Sequence, residues 1–246
     1  MIEMPAKAYV KPTEGKLSGR GLLVAGACCA ILWPLLSTVY YAAYPILAGE
    51  AMLRPVEGQA GWAIRFAELG QRPAVVTLEW INAALPLLLW PFLVALYRLL
   101  GRRGQRDLSL VATGFGLLGI GLMVLSSTFN ATALHTLAQA YADATSELEG
   151  TAVLGTLNGL GSWMRGLNQT SSLLYAGYVG LASLALIRSR TWRVRGWLGV
   201  VGAVLVLPAK LSLGLRVPTN AIWTGLAYGL WPVAVGIGLL RLKGDQ

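Results

Sequence analysis

The sequence predicts an all-α protein, a polytopic membrane helix bundle with about six transmembrane helices. Of its 246 residues, 55% are hydrophobic and only 13% are charged, whereas about a quarter of the residues in a soluble domain are charged. The mean hydropathy is +0.59, and the chain contains several uncharged apolar runs of the ~20 residues that a helix needs to cross a hydrocarbon core. No soluble block separates these runs, which favours a single membrane domain.

Six apolar stretches define the predicted spans. A basic segment of residues 1–20 precedes the first of them, so the membrane domain is predicted to cover residues 21–246. The spans are residues 21–48, 75–100, 108–133, 165–187, 196–213 and 221–240.

The distribution of basic residues predicts the orientation of these spans. Of the 20 Lys and Arg residues, 14 fall in the N-terminal segment, in alternate connecting segments and in the C-terminal tail. Lys and Arg collect in cytoplasmic loops, so both termini are predicted to lie in the cytoplasm. The same rule accounts for the net charge of +9 and predicts no nucleic-acid partner.

The long segment between the third and fourth spans has an amphipathic pattern. Apolar and small residues recur there at helical spacing, which predicts an extracytoplasmic helix lying on the membrane. A packed cap over the bundle is the alternative. A short interfacial helix is also predicted within Gly49–Pro73. The residues of the longer pattern are Leu134, Leu137, Ala138, Tyr141, Thr145 and Leu148.

The tripeptide Leu-Trp-Pro occurs three times within predicted spans, at Leu32–Pro34, Leu89–Pro91 and Leu230–Pro232. Prolines there bend a helix and free a carbonyl that neighbouring groups must satisfy. The first and last predicted hairpins share this tripeptide, which suggests a parallel repeat of the kind some transporters use. Chance is the alternative in a chain so rich in Leu, Gly and Trp.

The stretch Gly114–Gly119 matches the dinucleotide-binding pattern Gly-x-Gly-x-x-Gly. That site needs a preceding strand and a helix N-terminus open to water, whereas this stretch lies inside a predicted span. Small residues in a span allow helices to approach closely. The glycines are therefore interpreted as helix-packing positions.

Catalytic and metal-binding patterns are weak in this sequence. His135 is the only histidine, and neither a Ser–His–acid pattern nor metal-ligand spacing accompanies it. No catalytic residue and no metal ligand is predicted, and an enzymatic function is not favoured. The cofactor is left unknown, with a bound lipid as one candidate.

Polar residues inside the spans gather near the predicted outer surface. Ionisable groups at this depth usually face the bundle interior and pair with one another. We therefore hypothesise a ligand pocket that opens to the extracytoplasmic side, with Glu79 paired to Lys210 or Arg165. In the alternative, the two cations extend to the lipid headgroups and Glu79 caps its helix. The candidate residues are Glu79, Asn82, Asn130, His135, Arg165, Asn168 and Lys210.

Two stretches carry a family resemblance. Residues Asn130–Thr145 and the basic turn Arg190–Gly199 resemble bacterial six-span membrane proteins grouped under a domain of unknown function. The resemblance implies the six-span fold and a location in the bacterial inner membrane. It implies no activity and no catalytic residue.

Three functions are compatible with these features. The first is a binding or sensing protein, or an accessory subunit of a membrane complex. The second is a small transporter of a small or amphiphilic molecule, which would need to be oligomeric. The third is an intramembrane lipid-modifying enzyme that uses Glu79, His135 or Lys210. The expected partners are membrane lipids, other membrane subunits or a second copy of the chain.

Overall fold

The computed structural model describes residues 18–48, 73–190, 192–210 and 224–242. Within these ranges every regular element is helical, which confirms the predicted all-α class. A 3-10 segment, Leu85–Leu88, joins the second helix to the third, and a π-helical segment, Thr224–Leu230, leads into the last. The helices are α1 (Ser18–Ala48), α2 (Pro73–Ala84), α3 (Leu89–Arg102), α4 (Arg106–Ala142), α5 (Glu147–Arg188), α6 (Arg193–Lys210) and α7 (Trp231–Arg241).

Four stretches of the described chain are long and apolar enough to cross a membrane, and they coincide with the first four predicted spans. Helix α6 corresponds to the fifth predicted span, and the shorter apolar helix Gly225–Arg241 to the sixth. The end of the fifth span and nearly all of Gly49–Pro73 lie outside the described residues. The four stretches are Gly19–Leu47, Ala74–Arg102, Arg106–Ala142 and Glu147–Arg188.

The segment between the third and fourth spans differs from the predicted separate surface helix. Helix α4 continues without a break to Ala142, and α5 begins at Glu147, so the two contain 37 and 42 residues. At 1.5 Å per residue they are about 55 and 63 Å long, well beyond a hydrocarbon core of about 30 Å. The Ala- and Leu-rich residues after Asn130 favour helix, so they extend α4 instead of starting a new element.

Side-chain hydrogen bonds cap the start of α5 in the turn that follows α4. The hydroxyl of Ser146 accepts a hydrogen bond from the backbone N–H of Glu149 at 3.3 Å. The Glu149 carboxylate in turn accepts from the backbone N–H of Thr145 at 2.7 Å and from its hydroxyl at 3.0 Å. The first bond satisfies a backbone donor that the first turn of a helix leaves free, and the other two tie the residue before the N-cap to the same turn. Together they fix the start of α5, with four residues between it and the end of α4.

One end of the bundle collects arginines, and we call it the arginine-rich end. A Cβ atom at Gly19 would lie 3.2 Å from Nη2 of Arg102, and one at Gly238 would lie 3.0 Å from Nη1 of Arg195. These approaches bring the start of α1 to the end of α3, and the end of α7 to the start of α6. The grouping joins segments that the charge pattern predicts to be cytoplasmic. The helix termini at this end are Ser18, Arg102, Arg106, Arg188, Arg193 and Arg241.

Two of the three glycines interpreted as packing positions, Gly116 and Gly119, bring the central helices into close contact, whereas Gly114 is exposed and a Cβ there would meet no atom within 4 Å. A Cβ at Gly119 of α4 would lie 2.8 Å from the backbone nitrogen of Tyr175 in α5 and 3.1 Å from the carbonyl oxygen of Ser171. Gly116 lies against the side chains of Leu93 and Tyr178 in the same way. The absence of side chains at these two glycines lets α4 pack directly on α5.

Candidate functional site

A cavity of about 440 Å³ lies where α1, α2, α4, α5 and the π-helical segment meet. Its volume falls in the range of small-molecule pockets. None of the described residues that line it is charged. The lining residues are Trp33, Pro34, Ser37, Thr38 and Tyr41 of α1, Asn82, Leu85 and Pro86 at the end of α2 and in the 3-10 segment, Met123 and Ser127 of α4, Asn168 and Ser172 of α5, and Gly225, Tyr228 and Gly229 of the π-helical segment.

Two departures from α-helical geometry and one proline inside a continuous α-helix surround this cavity. Pro34 lies inside α1, where the hydroxyl of Thr38 donates to the Pro34 carbonyl at 2.8 Å. Pro86 lies in the 3-10 segment, and Gly225 and Gly229 lie in the π-helical segment, where a Cβ at either glycine would meet no atom within 4 Å. Irregular backbone within a membrane span is tolerated where it lines a cavity, and π-helical turns are frequent at functional sites. The cavity therefore lies where these irregular positions meet.

The cavity wall combines aromatic faces with uncharged hydrogen-bonding groups. The rings of Trp33 and Tyr228 pack with their centroids 5.4 Å apart. The hydroxyl of Tyr228 is hydrogen-bonded to the side chain of Ser172. The indole Nε1 of Trp33 is buried and has no hydrogen-bond partner among the residues that the structure describes. A buried donor of this kind is available to a ligand that carries an acceptor.

A buried carboxylate stands beside the cavity. Glu79 of α2 is only 7% exposed and accepts hydrogen bonds from the side chains of Tyr40, Tyr44 and Asn130, the last at 3.3 Å. The ring of Tyr40 packs at 5.2 Å, edge to face, on that of Tyr41, which lines the cavity. The carboxylate thus sits behind the wall, and its hydrogen bonds hold α1, α2 and α4 together there.

Four of the seven predicted site residues come together in this region. Asn82 and Asn168 line the cavity from opposite helices. Glu79 and Asn130, although 51 residues apart in sequence, are hydrogen-bonded to each other beside it. The sequence-based grouping of amides and an acid at one level of the bundle therefore corresponds to neighbouring positions in the structure.

The other three predicted residues are placed differently. Arg165 is exposed and donates from Nη2 to the hydroxyl of Ser162 one turn away, at 3.3 Å. His135 is hydrogen-bonded through Nε2 to the amide of Gln139 at 3.0 Å on the same helix. The side chain of Lys210 lies outside the described residues, so its hypothesised pairing with Glu79 stays a prediction.

Sequence reasoning missed the contribution of α1. Two pairs of residues in α1 lie four residues apart after Pro34. Tyr40 and Tyr44 donate hydrogen bonds to Glu79, and Ser37 and Tyr41 line the cavity. Residues at this spacing lie on one helix face, so the pattern was visible. Tyrosines near a span end are common interfacial residues, and their contact with a buried acid depends on how α1 packs against α2.

The donor set suits an uncharged organic ligand better than a metal ion. The cavity wall presents hydroxyl, amide and indole groups and no charged ligand, whereas metal sites in proteins are built mainly on carboxylate, imidazole or thiolate ligands. Within the described ranges no group of three or more His, Cys, Asp and Glu side chains is placed to hold a metal ion.

Long apolar helices packed around a polar, uncharged cavity define a helical integral membrane protein. A family model described as a domain of unknown function, DUF4386, matches residues 59–242. The chain therefore belongs to the DUF4386 family, which confirms the expected membership of an uncharacterised membrane family. No curated protein and no solved structure matches the chain.

Proposed function

We propose that this protein is a non-enzymatic membrane protein that binds a small uncharged amphiphile in the cavity between α1, α2, α4 and α5. Such a protein acts as a binding or sensing protein, or as the ligand-binding subunit of a membrane complex. The observation that carries this proposal is the cavity of about 440 Å³ with a polar but uncharged lining, which lies beside Pro34 of α1, the 3-10 segment and the π-helical segment.

The chemistry of the wall supports an uncharged ligand. A charged group inside a membrane domain is costly unless an opposite charge pairs with it, and the described lining residues supply none. The nearby carboxylate of Glu79 is already held by three donors. Serine hydroxyls and the amides of Asn82 and Asn168 suit a hydroxyl or carbonyl group of the ligand.

The aromatic side of the wall supports an amphiphile over a purely polar ligand. Trp33 and Tyr228 present apolar faces near the unpartnered indole Nε1 of Trp33. An alkyl chain packs on such faces while a hydroxyl or carbonyl group reaches the polar groups. A fatty alcohol, or an uncharged lipid with a hydroxyl or carbonyl group, has this combination of groups.

The position of the cavity supports access from the extracytoplasmic side. Asn168 precedes the end of α5 at Arg188 by 20 residues, which is about 30 Å along a helix. The cavity therefore lies far from the arginine-rich end, and basic residues favour the cytoplasmic side.

Photolabelling in lipid nanodiscs tests this binding site. The probe is a medium-chain alkanol that carries a diazirine, and labelled residues are located by mass spectrometry of peptides. We expect adducts on Trp33, Tyr41 or Tyr228 that decrease when excess unlabelled octanol competes. Gly225→Leu fills open space beside the cavity, and we expect it to reduce these adducts at least fivefold.

Gly114→Leu is the matched control, because Gly114 also has open space around it but lies on an exposed face of α4 away from the cavity. It should leave the cavity adducts unchanged. Adducts confined to residues outside the cavity, or adducts that octanol does not reduce, would contradict the proposal.

A further inference from the structure

A chain of aromatic rings leads from the cavity wall into the core. The ring of Tyr228, which lines the cavity beside Trp33, stacks on Tyr175 with a centroid distance of 4.3 Å and an interplanar angle of 7°. Tyr175 packs on Tyr178 at 5.6 Å, and Tyr178 packs on Trp231 at 5.7 Å. These five residues, which we call the aromatic chain, come from α1, α5, α7 and the π-helical segment.

Four polar atoms in and next to this chain are buried and unsatisfied within the described residues. The hydroxyls of Tyr175 and Tyr178, the Nε1 atom of Trp231 and the nearby hydroxyl of Ser183 have no hydrogen-bond partner among the described residues. All four side chains are at most 1% exposed. Unpaired buried polar groups are costly and rare, so four together indicate a place where another polar species is accommodated.

The chain runs toward the arginine-rich end. Counting back from Arg188 at the end of α5, Tyr175, Tyr178 and Ser183 lie about 20, 15 and 8 Å away, at 1.5 Å per residue. The cavity residue Asn168 lies about 30 Å away on the same scale. Polar groups are therefore spaced along most of the C-terminal half of α5, from the cavity to within two turns of its end.

Helix α6 packs against this row of polar groups at its inner end, the end nearer to the arginine-rich end. The backbone of Gly199 lies directly against the hydroxyl of Ser183 and the Nε1 edge of Trp231, and a Cβ there would clash with both. One turn earlier, a Cβ at Gly196 would lie 2.8 Å from the carbonyl oxygen of Ser183. Glycine at these positions allows α6 to pack closely on α5 and α7.

We propose that the cavity and the aromatic chain form a route for a small uncharged solute across the membrane, which the contact of Gly199 with Ser183 and Trp231 closes at its inner end. The nature of the solute rests on the proposed function, whereas the route and its closure rest on the buried polar groups. A shift of α6 away from α5 opens the inner end and exposes the hydroxyl of Ser183 to a solute.

Cysteine accessibility tests the closure. Ser183→Cys is placed in a variant in which Cys28 and Cys29 are replaced by alanine, and its reaction with methyl methanethiosulfonate, a small uncharged reagent, is followed in proteoliposomes. Gly199→Ala adds the Cβ that pushes α6 from Ser183 and Trp231. We expect it to raise the reaction rate of Ser183→Cys at least tenfold.

Ala182→Cys is the matched control, because Ala182 is equally buried at the same depth but contributes no polar atom to the line. Its rate should change less than twofold on Gly199→Ala. An unchanged rate for Ser183→Cys, or an equal increase at both positions, would overturn the proposal.

A second variant covers the case in which Gly199→Ala does not fold. Trp231→Phe removes the indole edge that lies against Gly199, and the same tenfold rise is expected for Ser183→Cys. If the cavity is photolabelled but neither variant changes the reaction rate of Ser183→Cys, the route is overturned and the binding site is retained. A response of Ser183→Cys without photolabelling supports the route and rejects the proposed ligand class.

Discussion

The side-chain amide of Asn130 donates a hydrogen bond to the carboxylate of Glu79 across 3.3 Å, and this contact links α4 to α2 beside the cavity. Tyr40 and Tyr44 of α1 donate to the same carboxylate. A buried acid in a membrane protein commonly pairs with a cation, but the described partners of Glu79 are two hydroxyls and an amide. The cluster joins three helices and holds the cavity wall in position.

We expect the hydrogen bond between Asn130 and Glu79 to contribute a measurable coupling energy. In a double-mutant cycle with Asn130→Ala and Glu79→Ala, the coupling should be about 1 kcal/mol, the size found for interhelical hydrogen bonds in membranes. The free energy of unfolding is measured by denaturant titration in mixed micelles. Gln169→Ala is the control, because Gln169 is exposed on α5. A coupling no larger than that between Glu79 and Gln169 would refute the prediction.

Gly119 and Gly114 lie on the same helix in opposite environments, which predicts opposite effects of alanine. A Cβ at Gly119 would lie 2.8 Å from the backbone of Tyr175, so Gly119→Ala must separate α4 from α5 and should destabilise the protein by about 1–3 kcal/mol. A Cβ at Gly114 meets nothing within 4 Å. Gly114→Ala should be neutral or stabilise by up to ~1 kcal/mol, since alanine is the better helix former.

The melting temperatures of the two variants in detergent, measured by light scattering during thermal unfolding, distinguish these outcomes. Equal melting temperatures for Gly119→Ala and Gly114→Ala would show that the close approach of α4 to α5 is not needed for stability.

The predicted orientation places the turn after α3 in the cytoplasm and the turn after α4 outside. Arg103 and Asp143 are exposed residues of these turns, so Arg103→Cys and Asp143→Cys report on the two sides. In a variant without Cys28 and Cys29, a membrane-impermeant maleimide added to intact cells should label Asp143→Cys at least tenfold faster than Arg103→Cys. Inverted vesicles should show the reverse order. The same order in both preparations would contradict the N-in, C-in topology.

Much of the helical layout could be predicted from the sequence. Apolar runs about 20 residues long led to the first four spans, because the length of a membrane helix depends on the thickness of the hydrocarbon core. Asn82 and Asn168 were also predicted as site residues, because polar groups within a span generally face the bundle interior. The extension of α4 to Ala142 was missed, since its amphipathic pattern fits a surface helix and a longer helix equally well.

The packing of α1 could not be predicted in this way. In the sequence, Tyr40 and Tyr44 resemble ordinary interfacial tyrosines. Only the packing of α1 against α2 brings them to the carboxylate of Glu79. The contacts of Trp33 and Trp231 could not be predicted from the sequence either. Their Leu-Trp-Pro motifs indicate local bends, but which rings the two indoles contact depends on residues far away in sequence.

By itself the sequence determined that this protein is a bundle of membrane-spanning helices with polar residues at one level. Hydropathy, chain length and proline positions act locally along each helix, so they can be read one span at a time. Only the tertiary structure decided that Pro34, the 3-10 segment and the π-helical segment come together around a cavity and that a chain of rings leads inward from it to Gly199. Those features depend on the rotation and depth of each helix relative to its neighbours, which packing at a few glycines and hydrogen bonds at Glu79 determine.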